Sequence, residues 1–335
     1  MVSSAASLMR AHLTRFGFFC DASDSELRAV RRRFDQRNFI HLPGFVDRGM
    51  LRVVWRGMRD ADFHSAAYAG VGKDLKLRNP TLWNVLYLFM NDPRLFRFIR
   101  RATGCGPIGS FHGRIYRMVE RPGVELDWHD DRKSRGRLVA ISINLSERPY
   151  RGGTLMIRTK SGGEAEAAPN IGFGDAIVFR IAANLEHRVA PVIGDAPKTA
   201  LTGWFLSHPK FKNSTVFALA RRRGFADGAA AAMGRVPHLD PPDRVTIPAA
   251  VVSREFPHST LVFDLASARF YRLNQTGARI WSLLAAGQSI RATAAAIAEE
   301  YGAPRRAVES DVAAIARQLA GRKLIRPKRA ARARK

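Results

Sequence analysis

Residues 126–132 read Leu126-Asp127-Trp128-His129-Asp130-Asp131-Arg132, or LDWHDDR. A histidine and two acids stand together in a chain with 55 Lys and Arg against 29 Asp and Glu. On a β-strand, side chains at i and i+2 point the same way. A strand through this stretch would therefore put His129 and Asp131 on one face and Asp130 on the other. An imidazole and a carboxylate side by side are two of the three ligands of a 2-His-1-carboxylate site. Such a site holds Fe(II) and leaves coordination positions open for other ligands. A solvated turn with a surface histidine spells the same three letters, so the pair needs a third ligand from elsewhere.

One of the nine histidines is well placed. His187, in NLEHRVAPV, follows Asp131 by 187 − 131 = 56 residues and stands in a strand-like run after the turn GFGD. A sheet that closes on itself can bring the two strands together. Lys198 follows His187 by 198 − 187 = 11 residues and begins KTALTGWF, a further alternating run. A buried ammonium demands an anionic partner, so a lysine facing the same cavity suits an anionic co-substrate. Trp128 is expected at the mouth of the site and Asp130 in solvent.

The flanking sequence supports a β-domain. GRIYRMVE, RLVAISINL, GGTLMIRT, DAIVFRI, HRVAPVI and TALTGWFL recur between Gly, Pro, Asn and Asp clusters over residues 111–206. Short runs at that interval predict a sandwich or barrel. Residues 1–110 read as mostly helical. One helix begins near Asp24, taken as the N-cap, and Pro43-Gly44 breaks the pattern.

HDD, His187 and Lys198, with RPG at 121–123, RGGTLMI, GFGDAIVF and EHRVAPVIG, together resemble the 2-oxoglutarate/Fe(II)-dependent dioxygenases, in their prolyl-hydroxylase-like form. The likeness covers about residues 35–206. It implies a double-stranded β-helix, or jelly roll, with flanking helices. It implies that His129, Asp131 and His187 ligate Fe(II), and that Lys198 holds the distal carboxylate of 2-oxoglutarate. O2 is the other co-substrate, and hydroxylation of a substrate C–H bond is the usual outcome. Most of the family has arginine where Lys198 stands. Lysine is a point charge rather than a fork, so a helping hydroxyl is expected from Tyr116 or Thr202. Tyr116 could equally be an ordinary core tyrosine.

A second pattern begins near residue 244. TIPAAVVSREF, STLVFDL and ARFYRLN read as three strands. QTGARIWSLLAAG, IRATAAAIAEEYG and PRRAVESDVAAIARQLAGRKL read as three helices. Asn274 is an expected N-cap, Gly287 and Gly302 are expected stops, and Pro304 is expected in a first turn. FDLASARFYRLN, TGARIW and the last amphipathic helix resemble the PqqD-like family, over about residues 245–327. That likeness implies a small winged-helix-like domain acting as a RiPP recognition element. Its partner would be the leader of a ribosomally made precursor peptide, added as a strand near residues 268–274. Tyr271 and Trp281 are expected in the core of this domain rather than against the peptide, and Phe270 is open between the two. The organisation is thus α+β: a dioxygenase domain over 1–206, a linker over 207–243 with one helix in VFALARRR, a peptide-binding domain over 244–327 and a basic tail over 328–335.

Bulk properties bound the rest. A net charge of +26 favours acidic or polyanionic partners. Cys20 and Cys105 make no disulfide framework. The N-terminus has no unbroken apolar h-region and no run is long enough to span a bilayer, so a cytoplasmic protein with no membrane partner is expected. Two rival readings remain: an oxygenase acting on a free small molecule or amino acid, and one acting on nucleic acid. Arg221-Arg222-Arg223 would serve the second, but alanine-rich segments where a recognition helix would lie speak against it.

Overall fold

The computed structural model describes residues 10–59, 61–132, 135–168, 172–209, 244–267 and 269–328. The expected linker, its VFALARRR helix, Arg221-Arg222-Arg223 and most of the basic tail lie outside these. The chain divides into two compact units, Met1–Val216 and Phe217–Lys335. Among the described residues no helix is long and apolar enough to cross a membrane.

The first unit is less helical at its start than its sequence suggests. It opens with a hairpin of β1 (Ala11–Thr14) and β2 (Gly17–Cys20). Helix α1 (Asp24–Arg37) follows, then β3 (Phe39–Leu42), α2 (Arg48–Arg59), β4 (Phe63–Tyr68), β5 (Gly72–Leu77), α3 (Pro80–Met90) and α4 (Pro93–Thr103). The N-cap of α1 is Ser23, not Asp24. The Ser23 hydroxyl accepts from the Glu26 N–H, and the Glu26 carboxylate accepts from the Ser23 N–H at 2.7 Å. That reciprocal pair satisfies two orphan donors and contributes about 1 kcal/mol. The break at Pro43-Gly44 stands, with Gly44 at φ +58°.

The β-region follows the expected runs. Its strands are β6 (Ser110–Met118), β7 (Leu126–His129), β8 (Arg137–Asn144), β9 (Arg151–Gly152), β10 (Leu155–Thr159), β11 (Glu166–Ala168), β12 (Ala176–Arg180), β13 (Leu185–Val189), β14 (Val192–Ile193) and β15 (Lys198–Leu206). One antiparallel sheet runs β11-β10-β13-β7-β5-β6-β15-β8-β12-β3, with β4 paired to β5 and a separate β9–β14 ladder. Strand β5 pairs with both β6 and β7, so the sheet turns back on itself as a nearly closed jelly roll. Gly72 makes that corner: at φ +136°, a Cβ there would lie 1.9 Å from the Glu125 carbonyl oxygen. The interior is filled by Phe39, Tyr116, Met118, Ala140, Ile157, Phe179 and Ala200, among others. Each large side chain buried there stabilises the unit by roughly 1.5–3 kcal/mol.

The second unit has the expected plan. Strands β17 (Val251–Phe256), β18 (Ser259–Asp264) and β19 (Arg269–Leu273) form one antiparallel sheet in that order. A small ladder joins β16 (Val245–Thr246) to β20 (Arg326–Pro327). Helices α5 (Gln275–Ala285), α6 (Ile290–Tyr301) and α7 (Arg305–Gly321) follow the sheet. Asn274 caps α5, accepting from the Gly277 N–H at 2.9 Å. Gly302 ends α6 in the left-handed region, while Ala286, just before Gly287, takes the C-cap of α5. Pro304 is the N-cap residue of α7 rather than part of its first turn. Trp281 is core, donating to the Ser253 hydroxyl at 2.9 Å, and Phe270 stacks on Phe263 with ring centroids 4.1 Å apart. Tyr271 is only half-buried, with the Arg322 guanidinium 6.0 Å from its ring centroid.

Candidate active site

His129 and His187 face each other across the β7–β13 ladder, where they are register partners. Their ring centroids lie 4.3 Å apart. Asp131 completes the group. One carboxylate oxygen is 3.8 Å from His129 Nε2 and the other is 3.3 Å from His187 Nε2. One ligand atom from each of the three falls within 4.8 Å of the others.

Asp131 reaches this position by a route other than the strand pleat. Strand β7 ends at His129, and Asp131 sits in a bend with φ +59°. Left-handed backbone is costly for most residues but tolerated by aspartate. The carboxylate is then fixed from two sides. Arg137 Nη1 donates to Oδ1 at 2.7 Å and to the Asp131 carbonyl at 2.9 Å, and Trp204 Nε1 donates to Oδ2 at 2.6 Å. Burial works to raise the Asp131 pKa. The His187 hydrogen bond and charge, the Trp204 donor and Arg137 outweigh it, and hold the carboxyl well below the usual range. It is an anion at every physiological pH.

His129 is prepared as a neutral ligand. Its Nδ1 donates to the Asp127 carbonyl at 2.6 Å, which leaves the Nε2 lone pair turned to the cluster. Burial, helped by His187, lowers its pKa. Two imidazole nitrogens and one carboxylate converging on a point fit the donor set of Fe(II).

The neighbours in LDWHDDR do other work. Trp128 lies on the pleat face opposite His129 and is not at the mouth. The guanidinium carbons of Arg158 and Arg188 stand 3.9 and 5.0 Å from its ring centroid. Asp130 is not simply solvated: it pairs with Lys160 and accepts from the Arg132 N–H.

Lys198, Ala200, Thr202 and Trp204 share one face of β15 by strand alternation. Ala200 and Trp204 belong to or pack against the interior cluster, as does Phe179, whose ring is 4.8 Å from that of His187. Lys198 is buried, and its ammonium donates to the Gly153 carbonyl. Gly153 is at φ +62°, and a Cβ there would lie 2.9 Å from the lysine Cδ, so the second glycine of RGG makes room for the stem. Burial alone pushes the Lys198 pKa down to about 8. Among the described residues no carboxylate pairs with it. A buried ammonium with one carbonyl partner fits a site for the carboxylate of a small dianion.

Tyr116 is fully buried and is the cross-strand partner of Ala200. Its hydroxyl bonds Ser142, and burial raises its pKa. The Thr202 hydroxyl donates to the Ile141 carbonyl at 3.2 Å. Tyr150 stands nearer the lysine, with its ring centroid 5.9 Å from Lys198 Nζ. Sequence reasoning missed Tyr150, which has no periodic signal. It also missed Trp204, whose even offset from Lys198 places it on the same strand face.

A cavity of ≈ 620 Å³ opens over His129 and Asp131, with Tyr68, Arg114, Arg137 and Trp204 in its wall. Lys198, Tyr116 and Thr202 are not in that wall; they face the apolar interior. Arg114 is held by the wholly buried Asp74, with Nε and Nη2 at 3.1 and 2.8 Å from Oδ2. The Tyr68 hydroxyl donates to the other Asp74 oxygen at 3.2 Å.

Residues 113–206 match the family model of the 2OG-Fe(II) oxygenase superfamily, and residues 260–325 match that of PqqD, coenzyme PQQ synthesis protein D. No curated protein matches the chain. Among solved structures, a 2OG-Fe(II) oxygenase family oxidoreductase from Burkholderia pseudomallei is similar at 21% identity and TM-score 0.42, covering 58% of this chain and 96% of that one. A prolyl-4-hydroxylase from Pseudomonas putida is similar at 20% identity and TM-score 0.42, covering 54% and 98%. TbiB1, solved with the TbiA(beta) leader peptide, is similar at 32% identity and TM-score 0.24, covering 25% and 99%.

Proposed function

The chain carries a 2OG-Fe(II) oxygenase domain and a PqqD-like domain, and from that premise we propose that it oxidises a side chain of a ribosomally made precursor peptide. Fe(II), 2-oxoglutarate and O2 are the cofactor and co-substrates of the oxygenase domain. The observation that carries the reading is the His129, Asp131 and His187 cluster, set in one chain with an exposed edge strand. Strand β17 has its first four residues buried, whereas no residue of β19 is buried and Arg269 and Arg272 are exposed. An extended leader pairs with such an edge through its main chain, and side-chain pockets select it. A reducing, cytoplasmic setting belongs to the same reading; Cys20 and Cys105 are both free thiols.

In this reading His129, Asp131 and His187 hold the iron. Lys198 holds the distal carboxylate of 2-oxoglutarate, with Tyr116 and Thr202 as hydroxyl-bearing neighbours. Iron with 2-oxoglutarate and O2 supplies the oxidation of an unactivated C–H bond, which no side chain can perform. Arg137 and Trp204 keep the Asp131 carboxylate oriented and charged, and the apolar interior around Lys198 excludes water. The residues 1–206, 207–243, 244–327 and 328–335 then serve as catalyst, linker, leader-binding domain and tail.

The direct test is intact mass of the short peptides encoded beside the gene, each coexpressed with wild type or with His129→Ala. A gain of one or more oxygen masses only with wild type is expected. No gain on any of them would move the reading to a free small molecule or amino acid, or to nucleic acid.

Lys198 gives a separate test. Lys198→Ala is expected to raise the KM for 2-oxoglutarate about 10–100-fold, since a hydrogen bond to a charged group contributes roughly 1.5–3 kcal/mol. The value at saturating 2-oxoglutarate should change far less. In wild type the ammonium form binds the carboxylate, so KM should rise as pH climbs through about 8. The alanine variant should lose that rise. An unchanged KM would place the co-substrate elsewhere.

A further inference from the structure

The wall of the cavity over the metal cluster is more basic than oxidation itself requires. Its two acids, Asp130 and Asp131, are already engaged, as is Asp74 behind it. Asp131 faces the two histidines and Arg137, and Asp130 pairs with Lys160. Asp74 holds Arg114. Lys76 and Arg135 stand exposed in the same wall. Among the described residues neither has a carboxylate in ion-pair range. The lining therefore carries Arg114, Arg137, Lys76 and Arg135, while each of its acids is already paired.

We infer that the residue oxidised is itself acidic, an aspartate or glutamate of the core peptide whose carboxylate is read by Arg114 and Arg137. The inference rests on the peptide reading above: an unmodified ribosomal peptide offers carboxylates and no phosphates. Two features make the pair a reader rather than a solvated patch. Asp74 clamps Arg114 through Nε and Nη2, so its plane is fixed and its Nη1 is not committed to Asp74. Arg137 is held at Asp131 by two hydrogen bonds from Nη1, and its guanidinium carbon lies 3.6 Å from the Trp204 ring centroid. Pre-oriented guanidinium forks bind carboxylates with less loss of side-chain freedom than lysines do. Basic lining in a low-dielectric cleft also concentrates anions.

The same geometry says which bond reacts. Arg137 touches Asp131, so a carboxylate gripped there sits beside the metal cluster, and the methylene next to that carboxylate is the nearest C–H. In the step, that C–H bond becomes C–OH. One atom of O2 enters the new hydroxyl and the other enters succinate. The C–H bond gives two electrons and the decarboxylation of 2-oxoglutarate gives two, which together reduce O2; CO2 leaves.

The test is calorimetry on the full chain loaded with Mn(II) and 2-oxoglutarate, where binding is read without turnover. The titrants are acetyl-Gly-Xaa-Gly-amide peptides with Xaa as Asp, Glu, Asn, Gln or Lys. One acidic peptide should bind at least about tenfold more tightly than its amide counterpart, equivalent to 1.4 kcal/mol. The double variant Asp74→Asn/Arg114→Gln removes both charges together, so no buried acid is orphaned, and it should bring acid and amide to within about twofold. Should it fail to fold, Lys76→Gln/Arg135→Gln is read in its place, with a severalfold loss for the acidic peptide alone. Equal binding of acid and amide overturns the inference. So does no binding of either acid, a preference that survives both variants, or tighter binding of a short oligothymidylate. Loading with Mn(II) and 2-oxoglutarate but indifference to acidic peptides would overturn this inference and leave the oxygenase reading intact. Acid preference without oxygen gain on any coexpressed peptide would overturn the peptide reading and this inference with it, leaving only a cavity that binds acids.

Discussion

His187→Ala is expected to abolish 2-oxoglutarate turnover while leaving the jelly roll folded. The imidazole is almost wholly buried, 7% exposed, and its Nε2 is 3.3 Å from the Asp131 carboxylate. Removing it takes one of the three proposed iron donors and leaves a gap against Phe179. Two donors do not hold a divalent iron against water, so the loss should far exceed the roughly 10–100-fold typical of outer partners. The gap itself costs only a few kcal/mol, as for other large-to-small changes in a core. Three measurements separate the effects: metal content after reconstitution with Fe(II), succinate release, and circular dichroism. Metal lost with the spectrum kept is the expected pattern. A variant that still binds one iron and releases succinate at a tenth of the wild-type rate would show that the iron is held elsewhere.

Deleting residues 244–335 is expected to lower kcat/KM for the modified precursor by about 10²–10⁴-fold, the range that tethering through a second site gives. The matching core peptide, without its leader, should react equally with both forms. That contrast is the sensitive part. A deletion that slowed both substrates alike would report damage to the catalytic unit, and one that slowed neither would remove the reason for the second domain. Only a loss confined to the leader-bearing peptide supports delivery by β19.

Much of this was legible in the sequence because strand alternation and turn residues repeat over residues 111–206. Six runs read as strands, and each contains or overlaps one. The amino-terminal region is less helical than its residue pattern suggests. Its β3, FIHL, is four residues wedged after α1, and too short to show a period. The site divides in the same way. His129, Asp131 and His187 come together as their types and order suggest, yet Asp131 arrives through a left-handed bend that no pleat argument could supply. Tyr150 was invisible for a different reason: it meets Lys198, 198 − 150 = 48 residues on, only after the sheet closes, whereas Arg137 reaches Asp131 from six positions away but carries no periodic signal. Trp128 was misplaced because strand parity, applied to His129, already put its neighbour on the far face.

The bend at Asp131 carries a consequence for how this position can vary. The proposed iron site asks for a carboxylate here, which restricts the choice to aspartate and glutamate. The backbone at φ +59° asks for a residue at ease in the left-handed region, which restricts it to glycine, asparagine and aspartate. The two sets share one member. Glutamate, ranked by any chemical similarity table as the nearest relative, meets the first requirement and fails the second. Asparagine suits the chain and forfeits the charge. A single letter of the alphabet is thus written twice over, once by coordination and once by conformation.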